Sequence, residues 1–427
     1  MASIILVFVM FAIIGGCILV QSNTYNNFRN NFFTGDEEAA APTIKIGVYE
    51  PLSGAYKQYG REEARGIELA NKLYPTVLGK NVELIYVDNR SNMYDADTAL
   101  QELMSKYPSV VLGSYGEVLS LVAADYMVAY STPAITITGT NPLITANNDF
   151  YFTASFSASQ QGTALAKYAV NALNRETFAT VRAVRDDSSN DIIDRFNSSL
   201  EKLTNLTENH KGNFVIDGEG EDFSACIGQL KNAGADTVFL CVPPAVGITF
   251  MSQCLTNEYT PLFLGTREWD TEDMEKFLSS NPDISASYTA VEVADITDEN
   301  QVFVDAYNNN YGLDSEPTGS AAAGFDAYLI ALKAIEDAYH NVENADISEM
   351  EANAGADAKS RAEVQAYQTT LETGIPSGTQ IRDAMLEISD FNGATGVLSY
   401  DGSFDVNKTV TIIHFFKGEK LAPYSLD

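Results

Sequence analysis

Few side chains in this chain are suited to making or breaking bonds. Its 427 residues include only three histidines, His210, His340 and His414, and none stands beside a plausible nucleophile, so a Ser-His or Cys-His enzyme is not expected. Of the four cysteines, Cys17 closes an apolar N-terminal run. The other three, Cys226, Cys241 and Cys254, fall in helical or strand patterns, an odd count without a disulfide framework or metal-ligand spacing. No catalytic residue, metal or cofactor follows from these residues.

Charge narrows the partners. The formal net charge is −32, from 58 acidic and 26 basic residues, which argues against nucleic acid. The acids are spread along the whole chain, as on a solvated acidic surface. With 45% hydrophobic and 20% charged residues, the chain can bury one large or two medium cores.

The elements that must position any binding groups begin at Thr43. Thr43 to Tyr49 alternates β-branched and apolar residues, as a strand buried on both faces does. Pro51, Ser53, Gly54 and Gly60 then break the pattern into a loop. From Glu62, Ala64, Ile67, Leu69, Ala70 and Leu73 return at helical spacing. Strand, loop and helix open a doubly wound α/β domain, in which ligands bind at strand C-termini. Alternation continues with strands at Val82–Val87, Val110–Leu112 and Ala134–Thr138, and helices at Asp95–Lys106 and Ser120–Tyr130. A second series follows Phe152: helix Gln160–Leu173, strand Ala179–Val184, a helix from Asp191, strand Asn213–Ile216, helix Phe223–Ala233, strand Thr237–Val242, helix Gly247–Leu255 and strand Pro261–Leu264. Two consecutive series imply two Rossmann-like lobes.

Specific motifs go further. Gly47-x-x-x-Pro51-Leu52-Ser53-Gly54, then Tyr59-Gly60, then Gly66-x-x-Leu69-Ala70, resembles the mature start of the branched-chain amino-acid binding proteins that serve ABC importers. Gly324-Phe325-Asp326-Ala327 resembles the G-[YF]-D-A helix start of that family. Phe391-Asn392-Gly393-Ala394-Thr395-Gly396, followed by Ser399-Tyr400-Asp401, resembles its closing loop and strand. The resemblance implies a type I periplasmic-binding-protein fold, two lobes joined by a three-crossover hinge with crossings near Ala154, Glu292 and Phe391. The N-terminal lobe is then 43–154 plus 293–391, and the C-terminal lobe 155–292 plus 392–427. Residues 342–373, polar and rich in Ala and Glu, read as an insertion. The implied function is capture of a small amino-acid-like solute in the inter-lobe cleft by hinge closure, and its delivery to an ABC permease. A ligand-sensing receptor module of the same fold, relaying closure to a signalling partner, is the alternative.

The resemblance also implies a site. Gly113 to Pro142 lies on the family's corresponding segment without gaps, where a strand-end loop and a helix N-terminus grip an amino acid's carboxylate. By position Thr138 and Thr140 match the carbonyl and hydroxyl contacts, and Tyr59 the aromatic wall. Glu117 departs from the pattern, standing where the family commonly has a serine. Gly265-Thr266-Arg267-Glu268-Trp269-Asp270 resembles G-x-[DE]-G-W-D, but Arg267 replaces the acid that holds the ammonium, and Glu268 takes over only if the loop shifts by one residue. Around Asn190, itself expected to meet the ligand, and around Pro243-Pro244 the tyrosines that often cover the ligand are missing. If Glu117 and Arg267 face the cleft, a zwitterion binds reversed relative to the family, its carboxylate toward Arg267. Trp269, the only tryptophan, is expected at the cleft in the same loop.

Residues 1–17 resemble a bacterial lipoprotein signal: an apolar run, then Gly15-Gly16 before Cys17, the expected lipidation site, although no Lys or Arg precedes the run. Residues 18–42, Asn-rich and then acidic, read as a tether. The expected location is extracytoplasmic, lipid-anchored at a bacterial membrane.

Overall fold

The apolar run at the start of the first motif becomes β1 (Ile44–Glu50) at the centre of a sheet. Its neighbours are β2 (Thr76–Val77), β3 (Lys80–Asp88), β4 (Val110–Leu112), β5 (Ala134–Thr136) and β6 (Tyr151–Thr153), in the order β2-β3-β1-β4-β5-β6. All pairs are parallel except the edge strand β2, which runs antiparallel to β3. Helices on both faces explain why Ile44, Ile46 and Val48 are all fully buried. This computed structural model describes residues 42–426 except 147, 185–187, 205–208, 218–221, 291–297, 313–316 and 356. The signal, the tether, Cys17 and the crossing near Glu292 lie outside the described residues. Among those described, no helix is long and apolar enough to cross a membrane.

The connecting helices of the first sheet are α1 (Lys57–Leu73), α2 (Met93–Met104) and α3 (Glu117–Tyr130). Helix α1 starts five residues before the apolar stripe predicts, so Tyr59 and Gly60 sit inside it rather than in the loop. Buried Gly60 packs on Pro51, and its amide bonds to the Tyr56 carbonyl at 3.1 Å, so tertiary packing carries the helix past a residue of low helical propensity. Helix α3 likewise begins early, at Glu117.

Beyond β6 the chain builds a second sheet. Helix α4 (Ala158–Lys167) ends in a π-turn (Tyr168–Ala172) where a single longer helix was expected. Then follow β7 (Phe178–Ala183), α5 (Ser188–Leu203), β8 (His210–Ile216), α6 (Ser224–Ala233), β9 (Thr237–Cys241), α7 (Pro244–Thr256), β10 (Leu262–Gly265), a 3-10 turn (Arg267–Trp269), α8 (Glu272–Ser280) and β11 (Ser285–Ala290). Helices α9 (Asp298–Tyr311) and α10 (Gly319–Glu343) return to pack on α1 of the first sheet. Helices α11 (Ile347–Ala354) and α12 (Ala358–Thr373) pack on each other before α13 (Gly378–Leu386) docks on α10. A small antiparallel sheet, β12 (Phe391–Gly393), β13 (Gly396–Ser399) and β14 (Asn407–Lys408), precedes β15 (Val410–Phe416), β16 (Glu419–Lys420) and β17 (Tyr424–Leu426). The second sheet has the order β16-β15-β11-β10-β9-β7-β8, with β15 antiparallel to β11. Each sheet and its helices form one lobe of a two-lobed α/β fold.

Two motifs acquire a physical reason here. The Asp326 carboxylate, fully buried on α10, accepts from the Ala394 amide at 2.6 Å, the Thr395 amide at 2.9 Å and the Thr395 hydroxyl at 2.6 Å. Lys408 Nζ donates to that same hydroxyl at 2.6 Å. The helix start and the closing loop are thus the two halves of one buried clamp. Nearby, Tyr400 donates to the Thr153 carbonyl at 2.8 Å, and the Val406 amide donates to the Thr153 hydroxyl at 3.0 Å. The strand leaving the first sheet is therefore tied to the segment after β13.

Candidate functional site

A small cavity of about 40 Å³ lies between the C-terminal ends of strands from both sheets. Glu117, Thr140, Asn141 and Pro142 line it from the first sheet's connections; Gln161, Ser189, Ile192, Cys241, Val242, Thr266, Arg267 and Glu268 line it from the second's. Glu117 and Arg267, far apart in sequence, face one space. That volume holds roughly three waters.

The first-lobe side is built by the loop between β4 and α3. Gly113 has φ of +111°, and a side chain there would run into the Tyr49 carbonyl and the Glu50 carboxyl, so this position demands glycine. Ser114 is pinned by Asn89 Nδ2 on its hydroxyl at 2.9 Å and by the Ser120 hydroxyl on its carbonyl at 2.9 Å. Beyond it, three groups suited to holding an anion are already committed. The Tyr115 amide donates to Glu50 Oε2 at 2.8 Å, the Thr140 hydroxyl to Glu117 Oε1 at 3.0 Å, and the Thr138 hydroxyl to Glu63 Oε1. Glu117 also occupies the first position of α3, where an acid offsets the positive end of the helix dipole.

The second-lobe side presents Arg267. Its amide donates to Gln161 Oε1 at 3.0 Å, and the same oxygen accepts from Thr289 at 2.9 Å. Gln161 is buried on α4 and so fixes the 3-10 turn that carries Arg267. Among the described residues the Arg267 guanidinium makes no ion pair within 4.0 Å, although its charge is felt by Glu63 and Tyr115.

The predicted residues divide. Glu117, Thr140, Arg267 and Glu268 line the cavity, with Glu268 exposed at its edge. Thr138 does not; it lies buried behind the wall, its hydroxyl turned to Glu63. Asn190 is displaced by its neighbour Ser189, because successive residues of α5 point about 100° apart at 3.6 residues per turn. Tyr59 stacks on Tyr115 with ring centroids 4.7 Å apart and lines a separate hollow of about 630 Å³ with Pro244, Ile248 and Phe277. Trp269 lines neither and is fully buried. Cys226, Cys241 and Cys254 are not in disulfides, and no group of three or more potential metal ligands occurs among the described residues.

Sequence reasoning missed Gln161, Ser189, Glu50 and Glu63. A lone Gln or Ser on an amphipathic helix carries no signal. The two glutamates did: Glu50 closes a strand buried except at Lys45, and Glu63 falls on the same stripe as Ile67 and Ala70. Both are fully buried. Burial foremost, and then the charge of Glu63, holds the Glu50 carboxyl well above the usual range. Burial likewise pushes Glu63 up to about 7, against the pull of Thr138, Glu50 and the Arg267 charge.

A family profile described as "Periplasmic binding protein" matches residues 43–396. The "Leu/Ile/Val-binding protein homolog 3" of Brucella melitensis is 25% identical over 209 residues, 48% of this chain, and the match spans only 56% of that relative. Among solved structures, the leucine binding protein LivK of Thermotoga maritima superposes with a TM-score of 0.68 at 22% identity, covering 89% of this chain and 98% of its own. A solute binding protein of an ABC transporter from Rhodopseudomonas palustris HaA2, in complex with p-hydroxybenzoic acid, gives 0.68 at 18% identity, covering 90% and 97%.

Proposed function

Because the chain belongs to the periplasmic binding protein family, an extracytoplasmic family of binding proteins rather than enzymes, we propose that it captures a small carboxylate-bearing, amino-acid-like solute between its lobes and delivers it to an ABC permease. The observation that carries this reading is the division of charge across the cavity. Three donors of the first lobe are taken by the protein's own glutamates, while among the described residues Arg267 of the second lobe makes no ion pair within 4.0 Å, although its charge acts on Glu63 and Asp270. A solute carboxylate then goes to Arg267, whose guanidinium fits it in a two-pronged hydrogen bond. An ammonium, or another donor, goes to Glu117. The pose is reversed relative to the amino-acid grip at the first-lobe helix start. Leucine and p-hydroxybenzoic acid, named for the similar proteins, share the carboxyl and differ in the ammonium.

That difference supplies the test. Calorimetry of wild type, Arg267→Gln and Glu117→Gln is run against a panel of amino acids and benzoates. Arg267→Gln is expected to weaken every carboxylate by tenfold or more, about 1.4 kcal/mol. Glu117→Gln is expected to weaken only ligands with an ammonium. If both variants stay within about threefold of wild type, roughly 0.7 kcal/mol, neither side chain meets the solute and the reading fails.

A further inference from the structure

Glu50 and Glu63 lie behind the cavity and line no part of it. Glu50 ends β1 and Glu63 stands in the second turn of α1. Each has one oxygen satisfied, Glu50 Oε2 by the Tyr115 amide and Glu63 Oε1 by the Thr138 hydroxyl. Glu50 Oε1 and Glu63 Oε2 are buried without a donor, and each carboxyl acts on the other's protonation. Two ionised carboxylates are acceptors only, so here they would repel and leave both oxygens unsatisfied. One proton placed between them satisfies both at once.

We propose that Glu50 and Glu63 share a single proton in the folded protein, so that the charge beneath the solute-gripping loops changes with pH. The groups around the pair do not supply a substitute. Tyr49 on β1, Tyr115 on the loop and Tyr151 on β6 are phenols held neutral by burial, and Tyr151 donates to the Gly113 carbonyl at 2.7 Å. Glu117 and Glu268 add negative charge at the cavity, and Arg267 is the cation that acts on Glu63. When the shared proton leaves, Arg267 faces a second negative charge that competes with a solute carboxylate. Resting on the functional reading above, this makes carboxylate affinity fall as pH rises through the titration of the pair, and makes binding take up protons.

Stability tests the pair without any solute. The folded carboxyls hold protons more tightly than free glutamates do, so their stabilisation is full below the ordinary glutamate range. It is lost as pH rises through the folded value, about 7 for Glu63. Lys408, pushed down to about 8 by burial, also titrates in this range, so the reading is the difference between wild type and each variant. Thermal unfolding of wild type, Glu50→Gln and Glu63→Gln is followed from about pH 5 to pH 9. Each amide supplies a permanent donor to its partner while keeping the acceptor used by Tyr115 or Thr138. Wild type is expected to lose several degrees across the range and both variants much less; a wild-type-minus-variant difference that is flat with pH overturns the proposal. Infrared spectra of wild type alone give a second readout. A protonated carboxyl band should persist at pH values where exposed glutamates are ionised, and its absence overturns the proposal even if the variants fail to fold. L-leucine and p-hydroxybenzoate then serve as carboxylate probes for proton uptake, measured by calorimetry in buffers of different ionisation enthalpy. Uptake supports the link, and binding without uptake in wild type overturns it. If neither probe binds, that result counts against the functional reading, while unfolding and infrared still decide the shared proton.

Discussion

Arg267 owes its position to a residue that never meets solvent. Trp269, two positions on, is fully buried, and its indole donates to the Val242 carbonyl at 2.9 Å. Its ring lies over Gly265, where even a methyl group would intrude on the indole. Gly265→Ala therefore has to push the ring and its 3-10 turn aside. Overpacking of this kind costs about 1–3 kcal/mol, read as a lower denaturant midpoint, and carboxylate affinity should fall with it because the same turn carries Arg267. An unchanged midpoint would mean that the ring can move without strain. Trp269 was expected at the cleft; as a buried residue, its fluorescence should follow displacement of the turn rather than contact with a solute.

At the scale of elements, the start of α10 and the loop from β12 to β13 act as one unit. The Asp326 carboxylate accepts two backbone amides and a hydroxyl, and Lys408 completes the chain through that hydroxyl. Burial depresses Lys408 to about 8 against the pull of Asp326, so the two charges depend on each other in a dry site. Asp326→Ala would strand the amides and the ammonium together. Its expected cost is about 3–5 kcal/mol by denaturant unfolding, with Asp326→Asn less damaging because it keeps an acceptor. A loss under about 1 kcal/mol, the worth of one ordinary hydrogen bond, would mean that water replaces the carboxylate and that the clamp is not structural.

At the scale of the molecule, strands of two sheets converge on a cavity of about 40 Å³, and the proposed capture predicts that the lobes part to admit an amino acid. Closure over the solute then gains second-lobe contacts that the open form lacks. Saturating solute, at about 100 times its dissociation constant, should raise stability by roughly 2.7 kcal/mol, and the X-ray scattering radius should fall. Tight binding with an unchanged radius would contradict closure.

Most of the fold was legible in the chain. Buried parallel strands are continuous apolar runs, and covering helices carry a 3.6-residue stripe. Local pattern therefore located β1, β4, β5 and most helices to within a few residues. It failed where packing overrides propensity, as when α1 ran on through Gly60 to take in Tyr59. Around the cavity, the family resemblance pointed to Glu117, Thr140, Arg267 and Glu268, and all four line it. It did not reveal which hydroxyls were already engaged. Thr138 turned inward to Glu63, and Ser189 took the place expected for Asn190. That choice belongs to tertiary structure, since a buried carboxylate claims the nearest donor in space whatever its distance along the chain; Glu63 and Thr138 are 75 residues apart.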